Sequence, residues 1–116
     1  MSNVKTQQPP LELRPNLLQI KEHTTFGQTY NLIRHEKQLD IVWVKKPDPQ
    51  QMSAVLLHKL TGRKFHWVQN FENPPIAGTW SQILISQADR IIVTTRRDYN
   101  KLRRYGIRIS KIRIEN

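Results

Sequence analysis

Short apolar runs rich in β-branched residues alternate along this chain with segments that carry helix start and stop signals, and that alternation restricts the fold more than any other feature. Leu39–Lys45 (LDIVWVK), Lys64–Phe71 (KFHWVQNF) and Asp89–Thr95 (DRIIVTT) are each too short for a helix and carry an apolar centre. They read as strands of a buried parallel sheet. Between the first two, Asp48-Pro49 supplies a helix N-cap and first residue, and Gly62 a stop. The intervening helix carries Met52, Val55, Leu56 and Leu60. Between the second and third, Asn73-Pro74-Pro75 breaks the strand. Thr79-Trp80-Ser81-Gln82 has capping-box spacing ahead of Ile83, Leu84 and Ile85. After the third, Thr95-Arg96-Arg97-Asp98 starts a helix that Gly106 closes. Ile109–Ile114 is expected as a last strand. Nearer the N-terminus the signals are softer. Asn16–Lys21 (NLLQIK) is a weak strand, and Thr25–Gln38 a helix with Phe26, Tyr30 and Ile33 on one side.

Strand, helix, strand, helix with short links implies parallel strands joined by right-handed crossovers. The expectation is an α/β fold: a Rossmann-like parallel sheet flanked by helices in three layers. The 116 residues suffice for one domain, read as 16–116. Residues 1–15, with Pro9, Pro10 and Pro15 among polar residues, read as a flexible arm.

The chain carries 19 Lys and Arg against 9 Asp and Glu, a net charge of +10, and it has no cysteine. Disulfides and thiolate metal sites are therefore excluded, in keeping with a reducing cytosol. The first ten residues have no apolar core of a secretory signal, and no apolar run approaches the length needed to cross a membrane. The charge is uneven. Arg96 to Arg113 holds eight basic residues and one acid, Asp98, a net of +7. At about 100° per residue, Arg97, Lys101 and Arg104 share one side of the helix, flanked by Arg96 and Arg103, with Tyr99, Leu102 and Tyr105 opposite. Together with Arg108, such a block attracts phosphate, anionic lipid or nucleic acid, or is simply a solvated face.

Open parallel sheets bind ligands beyond the carboxyl ends of their strands. That rule selects Lys45-Lys46-Pro47-Asp48, Gln69 to Pro74, and Thr94-Thr95-Arg96-Arg97. In the middle loop Asn70, Glu72 and Asn73 can bond a hydroxyl-rich ligand, and Glu72 could act as a general base if buried. The competing reading of these residues is ordinary turn chemistry. Lys45 and Lys46 could hold a phosphate or be plain solvated lysines. His23, His35, His58 and His66 lack metal-ligand spacing and read as surface or strand histidines. No phosphate-binding glycine loop or nucleophile elbow is present. Trp43, Trp67 and Trp80 could stack on sugars or bases, but the first two fall in strands and Trp80 in a first helical turn, positions that favour core packing.

The string LDIVWVKKPDPQQMSAVLLHKLTGRKFHWVQNFENPP resembles the middle of the N-terminal domain of family 4-like (group 1) glycosyltransferases. ADRIIVTTRRDYNKLRRYGIRISKIRIEN resembles the stretch that follows there. The likeness covers roughly residues 39–116. It implies half of a GT-B fold, the half that holds the acceptor and docks on membranes, with the nucleotide-sugar bound by a second domain and no metal or other cofactor needed. Transferred residue by residue, Asn70, Phe71, Glu72 and Asn73 fall where acceptor-site residues lie, and Arg97, Lys101 and Arg104 match a membrane-facing basic helix. Two departures stand out. Asn70 occupies a position where family members often carry histidine, and the glycine-rich loop after the family's first strand is missing. The chain ends at Asn116, where the family crosses into its donor domain, so activity alone is not expected. A truncated gene, an excised piece and one subunit of a split enzyme all fit.

The expected partners are an anionic membrane surface or lipid-linked acceptor, a donor-domain subunit, or a second copy, at a cytoplasmic location on the inner face of the membrane. The alternatives are a basic nucleic-acid-binding module and a non-catalytic scaffold or pseudo-enzyme.

Overall fold

A computed structural model of the chain describes residues 16–72 and 79–115. Five strands form one sheet: β1 (Leu17–Ile20), β2 (Ile41–Val44), β3 (His66–Asn70), β4 (Arg90–Val93) and β5 (Ile112–Ile114). They lie in chain order, β1-β2-β3-β4-β5, and every neighbouring pair is parallel. Helices α1 (Phe26–His35), α2 (Pro49–Leu60), α3 (Thr79–Ser86) and α4 (Arg96–Arg104) connect them. This is the expected α/β class, a Rossmann-like parallel sheet with flanking helices. The three apolar runs after residue 38 are the three central strands, side by side and pointing the same way.

The local signals act as read. Thr25 caps α1 in a full capping box with Gln28. Asp48 caps α2 ahead of Pro49 and accepts from the Gln50 N–H. Thr95 caps α4 by accepting from the Asp98 N–H. Gly62 and Gly106 follow α2 and α4 at φ +102° and +86°, a region a β-carbon disfavours. Arg63 donates to the carbonyls of Ile33 and Glu36 and so closes the end of α1. The final segment differs from expectation. Residues 109–111 form a 3-10 turn, and only Ile112–Ile114 pair with β4. Thr79 is already helical, so it is not the N-cap of α3.

The layering also differs. Val42, Val44, Trp67, Ile91 and Val93 point to one side of the sheet and are buried. They join Ile33 of α1, Met52 and Val55 of α2, Leu84 and Ile85 of α3 and Leu102 of α4 in one core cluster. No residue from the other side of the sheet belongs to that cluster. Strands laid down in order with right-handed crossovers place every helix on the same face. The described residues therefore form two layers rather than three.

Two polar networks stiffen the core. Gln69 is fully buried and satisfied: its Oε1 accepts from the Trp67 indole at 3.1 Å, and its Nε2 donates to the carbonyls of Lys46 and Asn70. Lys59 on α2 bridges to Asp89 at 2.6 Å and donates to the Phe65 carbonyl, and the Asp89 carboxylate also accepts from the Trp67 N–H. Partial burial raises the Asp89 pKa. The hydrogen bonds from Lys59 and Trp67, with the charges of Lys59 and His66, outweigh that and hold it below its ordinary 3.8. A lowered carboxylate pKa stabilises the fold at pH values above the ordinary range and loses that contribution as pH falls through the folded value. Asp89→Asn should therefore cost about 1–2 kcal/mol at pH 7, discounted for the partial exposure of the pair. Urea denaturation followed by tryptophan fluorescence should show the gap between wild type and variant at pH 7 narrowing markedly below pH 3.8.

Candidate functional site

The three loops chosen from sequence leave the same edge of the sheet, because β2, β3 and β4 are adjacent and parallel. The rim is organised by the bonds its residues make. Lys45 places its ammonium 4.8 Å from the centre of the Trp43 ring. The Trp43 indole N–H donates to Oδ1 of Asn70 at 2.8 Å, a link from β2 to β3. Asn70 thus has its carbonyl oxygen engaged and its amide oriented. Lys46 is half-buried, its carbonyl held by Gln69 and by the Asp48 N–H. Glu72 is exposed, so the burial invoked for a general base is not provided. Asn73 lies outside the described residues. Thr94 and Thr95 are exposed, and the Thr95 hydroxyl is occupied as the cap of α4.

Two parts of this site were not legible in the sequence. The first is Trp43, expected in the core but half-buried on the face that carries no helix among the described residues. Of the three tryptophans only Trp67 is a core residue, for Trp80 is 57% exposed on the outer side of α3. A strand that is apolar at every position gives no hint of which alternate residues a helix will cover. The second is the loop after β1. Here Lys21, Glu22 and His23 join the same rim, and His23 adopts φ +67°, an uncommon conformation for a residue with a β-carbon. Gln51, buried in the first turn of α2, pins this loop by donating to the carbonyls of Lys21 and Thr24. A shallow hollow of about 330 Å³ opens between the ends of β1 and β2, lined by Gln19, Ile20, Lys21, Glu22 and Lys45. A larger concavity of about 530 Å³ runs along α1, lined by Thr24, Gln28, Asn31, Leu32, His35 and Glu36.

The basic helix divides as expected. Leu102 is buried and Tyr99 and Tyr105 half-buried, while Arg96, Arg97, Arg103 and Arg104 are exposed. Arg96 sits 4.9 Å from the Tyr99 ring, and Arg103 closes the helix end on the Ile107 carbonyl. Arg97, Lys101 and Arg104 make no side-chain hydrogen bond to another described residue and present their charge outward. Arg108 is exposed beyond the helix and lines a small hollow with Ser86, Ile107 and Lys111. Among the histidines, His58 departs from the surface reading. It is buried in α2, stacked on Tyr30 at 4.2 Å, with Nε2 2.9 Å from the Tyr30 carbonyl. Among the described residues no group of three or more metal-ligating side chains comes together.

Replacing Asn70 by Leu strands the Trp43 indole N–H. The expected cost is about 1 kcal/mol, small because water can reach this half-exposed pair. Asn70→Asp keeps the acceptor and should restore most of the loss. Urea midpoints and tryptophan emission of the two variants check this.

A scan against protein-family models and comparisons with curated proteins and with solved structures find no match to this chain.

Proposed function

We propose that this chain is the acceptor-side half of a GT-B glycosyltransferase: it holds a hydroxylated or phosphorylated acceptor at the carboxyl edge of its sheet and docks on anionic membrane through α4. The observation that carries the reading is the shared edge of the loops after β2, β3 and β4. It gathers Lys45, Lys46, Asn70 and Thr94 where a ligand of parallel sheets is received. The succession β2-α2-β3-α3-β4-α4-β5 follows the order of elements that the resemblance implies.

The chemistry of the rim suits binding rather than bond making. Oriented amides and ammonium groups hold hydroxyls and phosphates. No nucleophile paired with a base lies among the described rim residues. Sugar transfer then depends on a donor domain facing this edge. The outward charge of Arg97, Lys101 and Arg104 suits an anionic lipid surface, which brings the rim to a lipid-linked acceptor at the inner face of the membrane. No helix among the described residues is long and apolar enough to cross a membrane, so attachment in this reading is peripheral.

Nucleic-acid binding is the second reading, favoured by the same exposed basic side of α4. The two separate in one set of measurements. On the first reading the protein co-sediments with phosphatidylglycerol vesicles far better than with phosphatidylcholine vesicles at about 0.15 M salt. At about 1 kcal/mol per basic residue, the triple variant Arg97→Gln, Lys101→Gln, Arg104→Gln should lose roughly a hundredfold in partition. A phosphorylated sugar should shift the amide resonances of Lys45, Lys46, Asn70 and Thr94. Equal binding to both vesicles, or oligonucleotide binding that outcompetes the vesicles with a steep salt dependence, would overturn it.

A further inference from the structure

The face of the sheet opposite the helices carries a pattern of its own. Register places its residues on three parallel diagonals. Ile41, Val68 and Ile92 form the central one, stepping one strand over and two residues along each time. Leu17, Trp43 and Asn70 lie on one side of it, and His66, Arg90 and Arg113 on the other. An apolar stripe is thus bordered along its length by a basic line, with Lys45 above Trp43 at the rim. Arg113 shares its charge with exposed Glu115 at 3.1 Å; Arg90 makes no ion pair with another described residue.

All-parallel sheets are stable with both faces covered, and a continuously apolar strand is the sequence mark of that state. The face measures about 19 Å across its five strands and little more than 10 Å along them. A helix is about 10 Å wide, so one of two or three turns fits along the stripe. A second copy is a poor occupant, for so small a face falls short of the area a stable dimer buries, and each chain carries +10. Single-stranded nucleic acid is a poor one too. Lys45 already occupies a face of the Trp43 ring, the one tryptophan, tyrosine or phenylalanine among the described residues of this face, and Ile41, Val68 and Ile92 have nothing with which to read a base.

We propose that this face, uncovered among the described residues, receives an amphipathic, acidic helix of a partner protein. Its apolar side covers Ile41, Trp43, Val68 and Ile92, and its carboxylates meet Arg90 and Arg113. Anchors at i, i+3, i+4 and i+7 span the stripe. This interface lies on the opposite side from α4 and does not depend on the acceptor reading.

The test uses a labelled synthetic helix of about twelve residues, with a leucine stripe and glutamates along one flank, titrated into the full chain and followed by anisotropy. Saturable binding in the micromolar range is expected, at least tenfold weaker for the same peptide with lysine in place of glutamate. Arg90→Glu with Arg113→Glu should weaken it at least tenfold. Val68→Thr should weaken it severalfold, and the α4 triple variant should leave it unchanged. The proposal fails if acidic and basic peptides bind alike or if the α4 variant weakens binding as much as the face variant. It fails equally if no saturation is seen to about 1 mM, if a single-stranded oligonucleotide displaces the peptide from this face, or if the face variants dissolve a dimer of the chain.

Discussion

Right-handed crossovers between strands laid down in chain order leave no choice over where the helices go. Each β-α-β unit turns the same way, so α1, α2, α3 and α4 accumulate on one side and interleave with Val42, Val44, Trp67, Ile91 and Val93. The same geometry lines up the carboxyl ends of all five strands along one edge. A doubly wound sheet reverses its strand order partway and so gains a crevice and a second helical layer. This sheet never reverses. Its polar rim is therefore a ledge, and its second face stays open among the described residues.

Trp43 is where the ledge and the open face meet. Its ring lies on the helix-free side of β2, its N–H reaches across to Asn70 on β3, and the Lys45 ammonium rests on it from the rim. A ligand at the edge and a partner on the face would share this side chain. Lys45 also lines the hollow beside β1, where the strained turn at His23 and the Gln51 amide fix the neighbouring loop. Gln51 and Gln69 are held by hydrogen bonds to backbone carbonyls and Asn70 by the Trp43 indole, an arrangement that orients them before any ligand arrives.

The fold was legible wherever a single residue dictates a local conformation. Thr25 with Gln28, Asp48 before Pro49, and Thr95 with Asp98 each satisfy orphan amides at a helix start. Gly62 and Gly106 each take a left-handed turn at a helix end. The rim was legible because strand direction follows from the alternation of elements. What stayed hidden depends on strand order, which no local pattern encodes. Sequential order decides that Trp43 is surface and Trp67 core, although both sit mid-strand among apolar neighbours. Similarly, Gln69 reads as the start of a ligand loop and His58 as a surface or strand histidine, and both are buried. Only the fold brings the Trp67 indole to one and the Tyr30 ring and carbonyl to the other.

A half-buried apolar stripe on a parallel sheet invites association, and the charges around it determine with what. Ile41, Val68 and Ile92 alone would pair with any greasy surface, including another copy. Placing His66, Arg90 and Arg113 along one border makes a like-charged surface costly and a negative one favourable, while the apolar stripe still supplies the area. The net charge of +10 extends that discrimination to long range, because two copies repel before their faces meet. The basic side of α4 points away from this face, so a chain resting on an anionic surface through that helix would keep its open face turned outward. On the two proposals taken together, an anionic surface and an acidic helix would sit on opposite sides of the sheet and would not compete.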